Sequence, residues 1–145
     1  TIWGEVKYMF NISFDGRYGR INYLNSLCIH ITALILWFIT LISIFGDTND
    51  VTYLGIFIAL PLFGIFIIRA TSLLLHDRSL NSWLSLFVFI PYLNILFLAS
   101  LLLFSGESKD NDYGKPMLKG HWLLSVSSCL IVFIMLMIVG IFIAK

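Results

Sequence analysis

Four long apolar runs are the feature of this sequence that most constrains its fold. Each run is close to or above the roughly 20 residues that a helix needs to cross about 30 Å of hydrocarbon. Backbone N–H and C=O groups in lipid must pair within their own segment, so helix is the favourable structure for such runs. We therefore predict an all-α membrane protein, a four-helix transmembrane bundle that forms a single membrane domain over residues 1–145. The runs cover about residues 24–45, 51–75, 83–104 and 122–144.

The scarcity of charge indicates lipid rather than water as the solvent. Charged residues make up 12% of the chain and hydrophobic residues 59%, whereas a soluble domain has about 25% charged residues. The net charge is only +1, so we expect no nucleic-acid partner. Cys28 and Cys129 form no CxxC pair and no zinc-binding histidine motif is present, so we expect no metal site and no cofactor.

The first 23 residues are predicted to be an N-terminal interfacial segment. Apolar side chains recur there at helical spacing around Lys7, which is typical of a short helix lying in the membrane interface. These side chains are Trp3, Val6, Met9 and Phe10.

The distribution of lysine and arginine predicts a cytoplasmic N-terminus. Basic residues precede the first run and flank the polar break after the second, whereas the loop at residues 46–50 contains acids only. Because basic residues favour cytoplasmic loops, we place residues 46–50 outside and the N-terminus inside. The basic residues that carry this prediction are Lys7, Arg17, Arg20, Arg69 and Arg78.

The third run allows two topologies. Pro91 lies near its middle, where it removes a helix hydrogen bond and bends the chain, and Asn94 needs a partner there. A re-entrant hairpin turning near Pro91 would return Lys109, Lys115 and Lys119 to the cytoplasmic side. A kinked crossing avoids a buried turn whose unsatisfied backbone groups would be costly. We predict four crossings with a bend at Pro91, and the hairpin is the alternative.

Three polar clusters punctuate the apolar runs. The first is Phe14-Asp15-Gly16-Arg17-Tyr18-Gly19-Arg20-Ile21-Asn22-Tyr23, the second is Leu75-His76-Asp77 with Trp83, and the third is Gly106 with Asn111-Asp112-Tyr113-Gly114-Lys115-Pro116. In this order the chain resembles the bacterial "domain of unknown function 805" family of small inner-membrane proteins, over about residues 3–116. The resemblance implies a location in the bacterial inner membrane and supplies no activity.

The chain also departs from the pattern of that family. The family's arginine pair falls on Leu73 and Leu74, its Ser-Gly on Asn81 and Ser82, and a frequent glutamate on Asn22. The matching positions are Phe14, Gly16, Arg17, Arg20, Tyr23, Leu75, His76, Asp77, Trp83, Asn111, Tyr113, Gly114 and Pro116.

The matched polar residues predict a binding or structural site at the membrane interface. We expect the three clusters to meet, with Arg17 or Arg20 within salt-bridge reach of Asp77 or of residues 110–112. Four true crossings would put residues 111–116 across the membrane from Arg17, so the two predictions exclude each other. The candidate residues are Arg17, Arg20, Tyr23, Arg69, His76, Asp77, Trp83, Asn111, Tyr113 and Gly114.

These candidates have both functional and structural interpretations. The guanidinium groups of Arg17 and Arg20 can form bidentate hydrogen bonds with lipid phosphates or carboxylates. Their alternative role is only to set the membrane topology. Arg69 lies inside an apolar run, which makes it a functional candidate, although it is near enough to the end to snorkel. His76 and Asp77 are a conceivable base and orienting acid, but adjacent helical residues point about 100° apart and no nucleophile is tied to them by motif. We therefore predict no catalytic residue.

Three functions remain open. A binding, scaffold or accessory protein would engage membrane lipid, a second copy or a larger membrane complex through its basic interfacial face. A small transporter or channel element would need a polar path past His30 and Asn94. An interfacial enzyme acting on lipid phosphates would need a pocket that joins the arginines to His76. The sequence favours the first.

Overall fold

The computed structural model describes residues 2–46 and 50–143. Within them the chain forms six helices, and the one β-bridge, between Asn111 and Gly114, is isolated. The predicted all-helical class is confirmed. Residues 47–49 of the predicted outer loop, and residues 144 and 145 at the end of the fourth run, lie outside the described residues. The helices are α1 (Ile2–Met9), α2 (Arg20–Phe45), α3 (Asp50–His76), a 3₁₀ helix (Ser82–Phe89), α4 (Leu93–Leu103) and α5 (Trp122–Ile143).

Two of these helices are long and apolar enough to cross a membrane. α2 has 26 residues and α3 has 27, each with a mean hydropathy of 2.4 over its most apolar stretch. At about 1.5 Å per residue, each is about 40 Å long. Only 17% and 11% of those stretches are buried inside the protein, so most of their apolar side chains face outward, which would be costly in water.

α2 lies between α3 and α5 and packs against both. The Trp37 indole donates to the carbonyl oxygen of Gly55 at 3.2 Å, near the ends of α2 and α3 farthest from His76. α3 is therefore antiparallel to α2. The Sγ atoms of Cys28 and Cys129 lie 3.5 Å apart, and Asn25 pairs with Ser125. α5 therefore runs parallel to α2.

The third apolar run folds back on itself. The chain leaves the 3₁₀ helix at Ile90, turns through Pro91 and Tyr92, whose φ is 65°, and enters α4. Arg78 donates to the carbonyl oxygens of Leu101 and Phe104 at the end of α4. Both ends of the run therefore lie beside the end of α3. The four-helix transmembrane bundle is not confirmed, and the hairpin of the alternative prediction is the observed shape.

Two amides of the hairpin turn have acceptors within the turn itself. Proline has no N–H, and it disfavours helical geometry in the residue before it, which is why the 3₁₀ helix stops at Phe89. The amide of Leu93 donates to the carbonyl of Pro91 at 2.8 Å, and that of Asn94 to Ile90 at 3.0 Å. The penalty that argued against a turn here is therefore largely avoided, since these two amides have partners inside the turn.

The N-terminal segment packs along α2 and α3. The ring centroid of Phe10 lies 5.0 Å from that of His30 and 6.1 Å from that of Phe66. Near the start of α1, Glu5 pairs with the His121 imidazole at 2.5 Å. The predicted helix is confirmed as α1, while its interfacial position remains a prediction.

The buried apolar core lies near one end of the molecule. The polar segments at that end are residues 13–22, 76–82 and 104–121, and we call them together the polar end. The apolar core beneath it packs the start of α2 against the end of α3 and the end of α4. Its buried members are Tyr18, Tyr23, Ala70, Leu73, Leu74, Leu75 and Leu101.

Candidate functional site at the polar end

Arg17 is the hub of the polar end. Its side chain is wholly buried, and its Nη2 and Nε atoms donate to Oδ1 of Asp77 at 3.0 and 3.2 Å. Nη1 donates to the carbonyl oxygens of Lys109, at 2.7 Å, and Gly114, at 3.1 Å. Nη2 also donates to the carbonyl of Glu107. The five guanidinium donors are thus all engaged, and we call this set of contacts the Arg17 clasp.

The clasp confirms that the three sequence clusters meet. Arg17 comes from the first, Asp77 from the second and Gly114 from the third. Its chemistry is structural, because a guanidinium with every donor committed to the protein has none left for a ligand.

Asp77 is held by close packing as well as by charge. A Cβ atom on Gly106 would lie 1.6 Å from Oδ2 of Asp77, so only glycine fits. The amide of Glu107 donates to the Asp77 carbonyl at 2.8 Å. Burial raises the pKa of the Asp77 carboxyl, while the hydrogen bond and charge of Arg17 oppose that rise. The sequence marked Gly106 as part of the third cluster, but gave no sign of this contact.

His76 lies between a ring and two hydrogen-bond partners. Its imidazole stacks on Tyr113 with 3.7 Å between centroids and 4° between planes. Nδ1 lies 3.1 Å from the Gly16 carbonyl oxygen, and Nε2 lies 2.6 Å from Oγ of Ser82. A carbonyl only accepts, so we assign the proton to Nδ1, and Nε2 then accepts from the Ser82 hydroxyl. The Ser72 hydroxyl donates to Ser82 at 2.6 Å.

The Ser82 contact was missed by the sequence analysis. Ser82 stands where the family pattern has glycine, so the motif offered no reason to pair it with His76. The spacing of six residues across the break after α3 was the available signal.

The third cluster forms a tight turn on top of His76. The Asn111 side-chain amide donates to the His76 carbonyl at 2.8 Å. Its Oδ1 accepts from the Tyr113 amide at 3.0 Å, and Gly114 has a φ of 103° that favours glycine. This is the turn chemistry expected of an Asn-x-aromatic-Gly sequence.

Arg69 lies apart from the clasp. Its Nε donates to the Ser13 carbonyl at 2.6 Å and its Nη1 to the Tyr18 hydroxyl at 3.2 Å. Its guanidinium carbon lies 5.0 Å from the centroid of the Tyr8 ring. Arg69 therefore fastens the N-terminal segment to α3, and these contacts join it to neither His76 nor Asp77.

The remaining predicted candidates are scattered. Arg20 is exposed, and its Nη1 donates to the Leu102 carbonyl at 3.2 Å. Tyr23 is buried in the core, with its hydroxyl 3.4 Å from Oγ1 of Thr71. Trp83 is 76% exposed and lies outside the cluster.

Two asparagines tie the start of α5 to the start of α2. The Asn22 side chain donates to the Leu118 carbonyl at 3.1 Å and accepts from the Gly120 amide at 2.6 Å. Asn25 donates to the His121 carbonyl at 3.0 Å. Sequence reasoning treated Asn22 only as a departure from the family, although two buried amides three apart share one helix face.

A polar groove opens beside the clasp. It has a volume of about 780 Å³ and is lined by side chains of both charges, including Arg20, Lys119, Asp77 and Glu107. Among the described residues, no group of three His, Cys, Asp or Glu side chains is placed to hold a metal ion. Arg20 and Lys119 bring cationic hydrogen-bond donors to this groove, and Asp77 and Glu107 bring carboxyl groups.

Comparisons with known proteins assign the family and no activity. Searches of curated proteins and of solved structures gave no match. The family described as "Protein of unknown function (DUF805)" matches residues 11–115, a stretch that contains the first two clusters and all of the third except Pro116. By this match the chain belongs to that family.

Proposed function

We propose that the protein is a multi-pass bacterial inner-membrane protein whose polar end lies on the cytoplasmic side. In this arrangement α2, α3 and α5 cross the membrane and the hairpin enters and leaves on one side. The helix directions support it, because they gather the basic segments at one end, as cytoplasmic segments require. The gathered residues are Arg17, Arg20, Arg78, Lys109, Lys115 and Lys119.

Its proposed function is that of a scaffold that binds anionic lipid headgroups in the polar groove. The observation that carries this proposal is the contrast between two arginines of one motif. Arg17 is buried and saturated, whereas Arg20 is exposed at the groove, with carbonyl contacts of 3.2 and 3.5 Å. Lys119 lines the same groove, and an arginine fork suits a phosphate.

Lipid binding can be measured on the full chain in detergent. We expect phosphatidylglycerol to raise the thermal unfolding temperature of the protein and to remain bound to it in native mass spectra. Phosphatidylcholine should do neither. Arg20→Gln and Lys119→Gln should each weaken the phosphatidylglycerol effect by about tenfold in concentration, the loss of one charge-assisted contact.

Lys115→Gln is the matched control, because Lys115 is exposed on the same end but does not line the groove. Equal loss in all three variants would mean diffuse attraction rather than a site. No preference between the two lipids would refute the proposal.

Acyl transfer is the second candidate function, and the contact between Ser82 and His76 favours it. In this reading Ser82 Oγ attacks an ester carbonyl while His76 Nε2 takes the hydroxyl proton, and Gly16 holds the Nδ1–H tautomer. The proton passes to the leaving alkoxide, and water later hydrolyses the acyl-serine. An apolar pocket of about 200 Å³, lined by Ser82, Phe14 and Trp83, adjoins the hydroxyl.

A fluorophosphonate probe tests this second candidate. Covalent labelling that is lost in both Ser82→Ala and His76→Gln, and kept in Ser79→Ala, would support it. Absence of labelling in the unmodified protein would exclude it. Neither outcome bears on lipid binding at Arg20.

A further inference from the structure

Three of the four tryptophans lie near the polar end, each on a different helix. Trp3 belongs to α1, Trp83 to the 3₁₀ helix and Trp122 to α5, and these side chains are 83%, 76% and 63% exposed. None of their indole N–H groups donates a hydrogen bond to another described residue, whereas the indole N–H of Trp37 in α2 donates to the Gly55 carbonyl at 3.2 Å. The three exposed indoles therefore need surroundings that accommodate an apolar ring and also accept a hydrogen bond.

Contacts of His121 place two of these indoles at a similar depth. The Asn25 side chain donates to the His121 carbonyl at 3.0 Å, so Trp122, the next residue, begins α5 beside the second turn of α2. Glu5 pairs with the His121 imidazole, and Trp3 lies two residues before Glu5 in α1. Both indoles are thus attached close to the level of Asn25.

Trp83 reaches nearly the same depth through α3. It follows Ser82, whose hydroxyl accepts from Ser72 in the last turns of α3 at 2.6 Å. Thr71 precedes Ser72, and its Oγ1 lies 3.4 Å from the Tyr23 hydroxyl. Because Tyr23 is at the start of α2, the three indoles are attached within about two helical turns of one another along α2.

The uncharged stretch of each long helix matches the thickness of the hydrocarbon. α2 extends about 30 Å from Asn25 to Phe45, and α3 about 28 Å between its two charged residues, Asp50 and Arg69. α5 (Trp122–Ile143) is about 31 Å long. None of these stretches contains Asp, Glu, Lys or Arg between its ends, and the hydrocarbon layer is about 30 Å thick. In the proposed topology the three indoles therefore lie at the cytoplasmic edge of that layer.

We infer that Trp3, Trp83 and Trp122, together the indole belt, bind the glycerol and ester region of lipids in the cytoplasmic leaflet. This binding rests on the membrane topology proposed above. The ring packs against the upper acyl chains and the N–H donates to an ester carbonyl, the chemistry that enriches tryptophan at membrane interfaces. Trp37 lies about 18 Å farther along α2 than the indole belt, near the bilayer midplane, where lipid offers no acceptor and the Gly55 carbonyl supplies one.

The indole belt also sets the depth of the polar groove. Arg20 precedes Asn25 in α2, and it lies about 7 Å outside the hydrocarbon at the rise of an α-helix. The headgroup layer adds about 5–7 Å on each side, so Arg20 is level with the lipid phosphates of the same leaflet. The groove ligand proposed above is then a phosphate of the surrounding leaflet rather than one dissolved in water.

Depth-dependent quenching of single tryptophans tests the indole belt. Versions of the full chain that keep one tryptophan and carry phenylalanine at the other three are placed in vesicles of phosphatidylglycerol and brominated phosphatidylcholine. The bromines lie near either the carbonyl end or the methyl end of the acyl chains, in both leaflets, so the direction of insertion does not affect the result. We expect Trp3, Trp83 and Trp122 to be quenched more strongly by the bromines near the carbonyl end, and Trp37 by those near the methyl end.

Trp37 is the internal control that separates the indole belt from the topology. If any of the other three indoles lacked the preference for the shallow bromines while the deep ones quenched Trp37, the indole belt would be overturned and the topology would stand. Protection of those three from both lipids would overturn it in the same way, since water or a partner protein would then surround them. A Trp37 that neither lipid quenches would reject the crossing of α2 and the indole belt with it.

Single substitutions keep the test decisive if a chain with three substitutions fails to fold. Trp3→Phe, Trp37→Phe, Trp83→Phe and Trp122→Phe are then made separately, and the quenching that each variant loses reports the depth of the same indole. Binding of phosphatidylglycerol in detergent is measured without a bilayer, so its outcome is independent of these results.

Discussion

Nη2 of Arg17 lies 3.0 Å from Oδ1 of Asp77, in a setting where the arginine side chain is wholly buried. The two residues are 60 positions apart, so this pair closes the chain from the start of α2 to the end of α3. The same guanidinium also holds the backbone of the loop that follows α4. One side chain therefore joins three segments.

We expect Arg17→Gln to destabilise the protein by about 3–5 kcal/mol, because it leaves Asp77 as an uncompensated buried charge. Unfolding in mixed micelles measures this. Lys109→Gln is the control: Arg17 uses only its backbone carbonyl and its side chain is exposed, so the change should stay within about 0.5 kcal/mol. Similar losses in both variants would mean that the clasp contributes no specific stability.

Gly106→Ala should destabilise the protein by about 1–3 kcal/mol, the usual cost of forced overpacking. The new methyl would lie 1.6 Å from Oδ2 of Asp77 and must displace it. Gly19→Ala is a matched control, because nothing lies within 4 Å of a Cβ there. The same unfolding measurement compares the two, and an unaffected Gly106→Ala would show that the loop does not approach Asp77 this closely.

Mild oxidation should join Cys28 to Cys129 within one chain. Their Sγ atoms are 3.5 Å apart, and closing to the disulfide length of about 2.05 Å needs only a small movement. Peptide mass spectrometry after copper–phenanthroline treatment would detect the linked pair, and Cys129→Ser removes it. Crosslinks found only between two chains would contradict the parallel packing of α2 and α5.

Cysteine labelling tests the proposed topology. In a chain with Cys28→Ser and Cys129→Ser, we place single cysteines at Asp15, Lys109 and Asp50. An impermeant reagent added to intact cells should label Asp50→Cys only. Labelling of Lys109→Cys together with Asp50→Cys would restore the four-crossing topology, and labelling of Asp15→Cys would reverse the orientation.

The long helices could be predicted from the length of the apolar runs alone, without a helical spacing of apolar residues. Runs of more than 20 apolar residues have few alternatives to helix, and the end of α2 at Phe45 and the start of α3 at Asp50 lie close to the predicted limits. α2 starts four residues before its predicted run, at Arg20, since Asn22, which is polar but buried, belongs to the helix. Hydropathy alone does not predict that polar residues packed against a loop belong to a membrane helix.

The hairpin was predicted only as the alternative to a kinked crossing. The cost assigned to a buried turn at Pro91 assumed that its amides would lack partners, whereas Leu93 and Asn94 find theirs within the turn. The grouping of Lys109, Lys115 and Lys119 with the other basic residues was the better signal. We gave this signal less weight than the energetic penalty for unpaired backbone groups in a buried turn, and hydrogen bonds within the turn largely remove that penalty.

The candidate site was predicted in outline but not in its contacts. The sequence predicted Arg17 or Arg20 within reach of Asp77 or of residues 110–112, and Arg17 does pair with Asp77. It did not predict the hydrogen bond from the Asn111 side chain to the His76 carbonyl. Arg69 was also a candidate for this site. Arg69 instead reaches the N-terminal segment at Ser13, a contact that depends on a loop conformation that helix periodicity does not encode.

The hairpin also gives the molecule an unequal cross-section. Its arms have 8 and 11 residues, about 16 Å each at the rise of their helix types, or about half of a 30 Å hydrocarbon layer. With the polar end inside, the hairpin would add area to the cytoplasmic leaflet alone, while three helices pass through the other. Such a wedge favours places where the membrane bends with its cytoplasmic leaflet on the convex side.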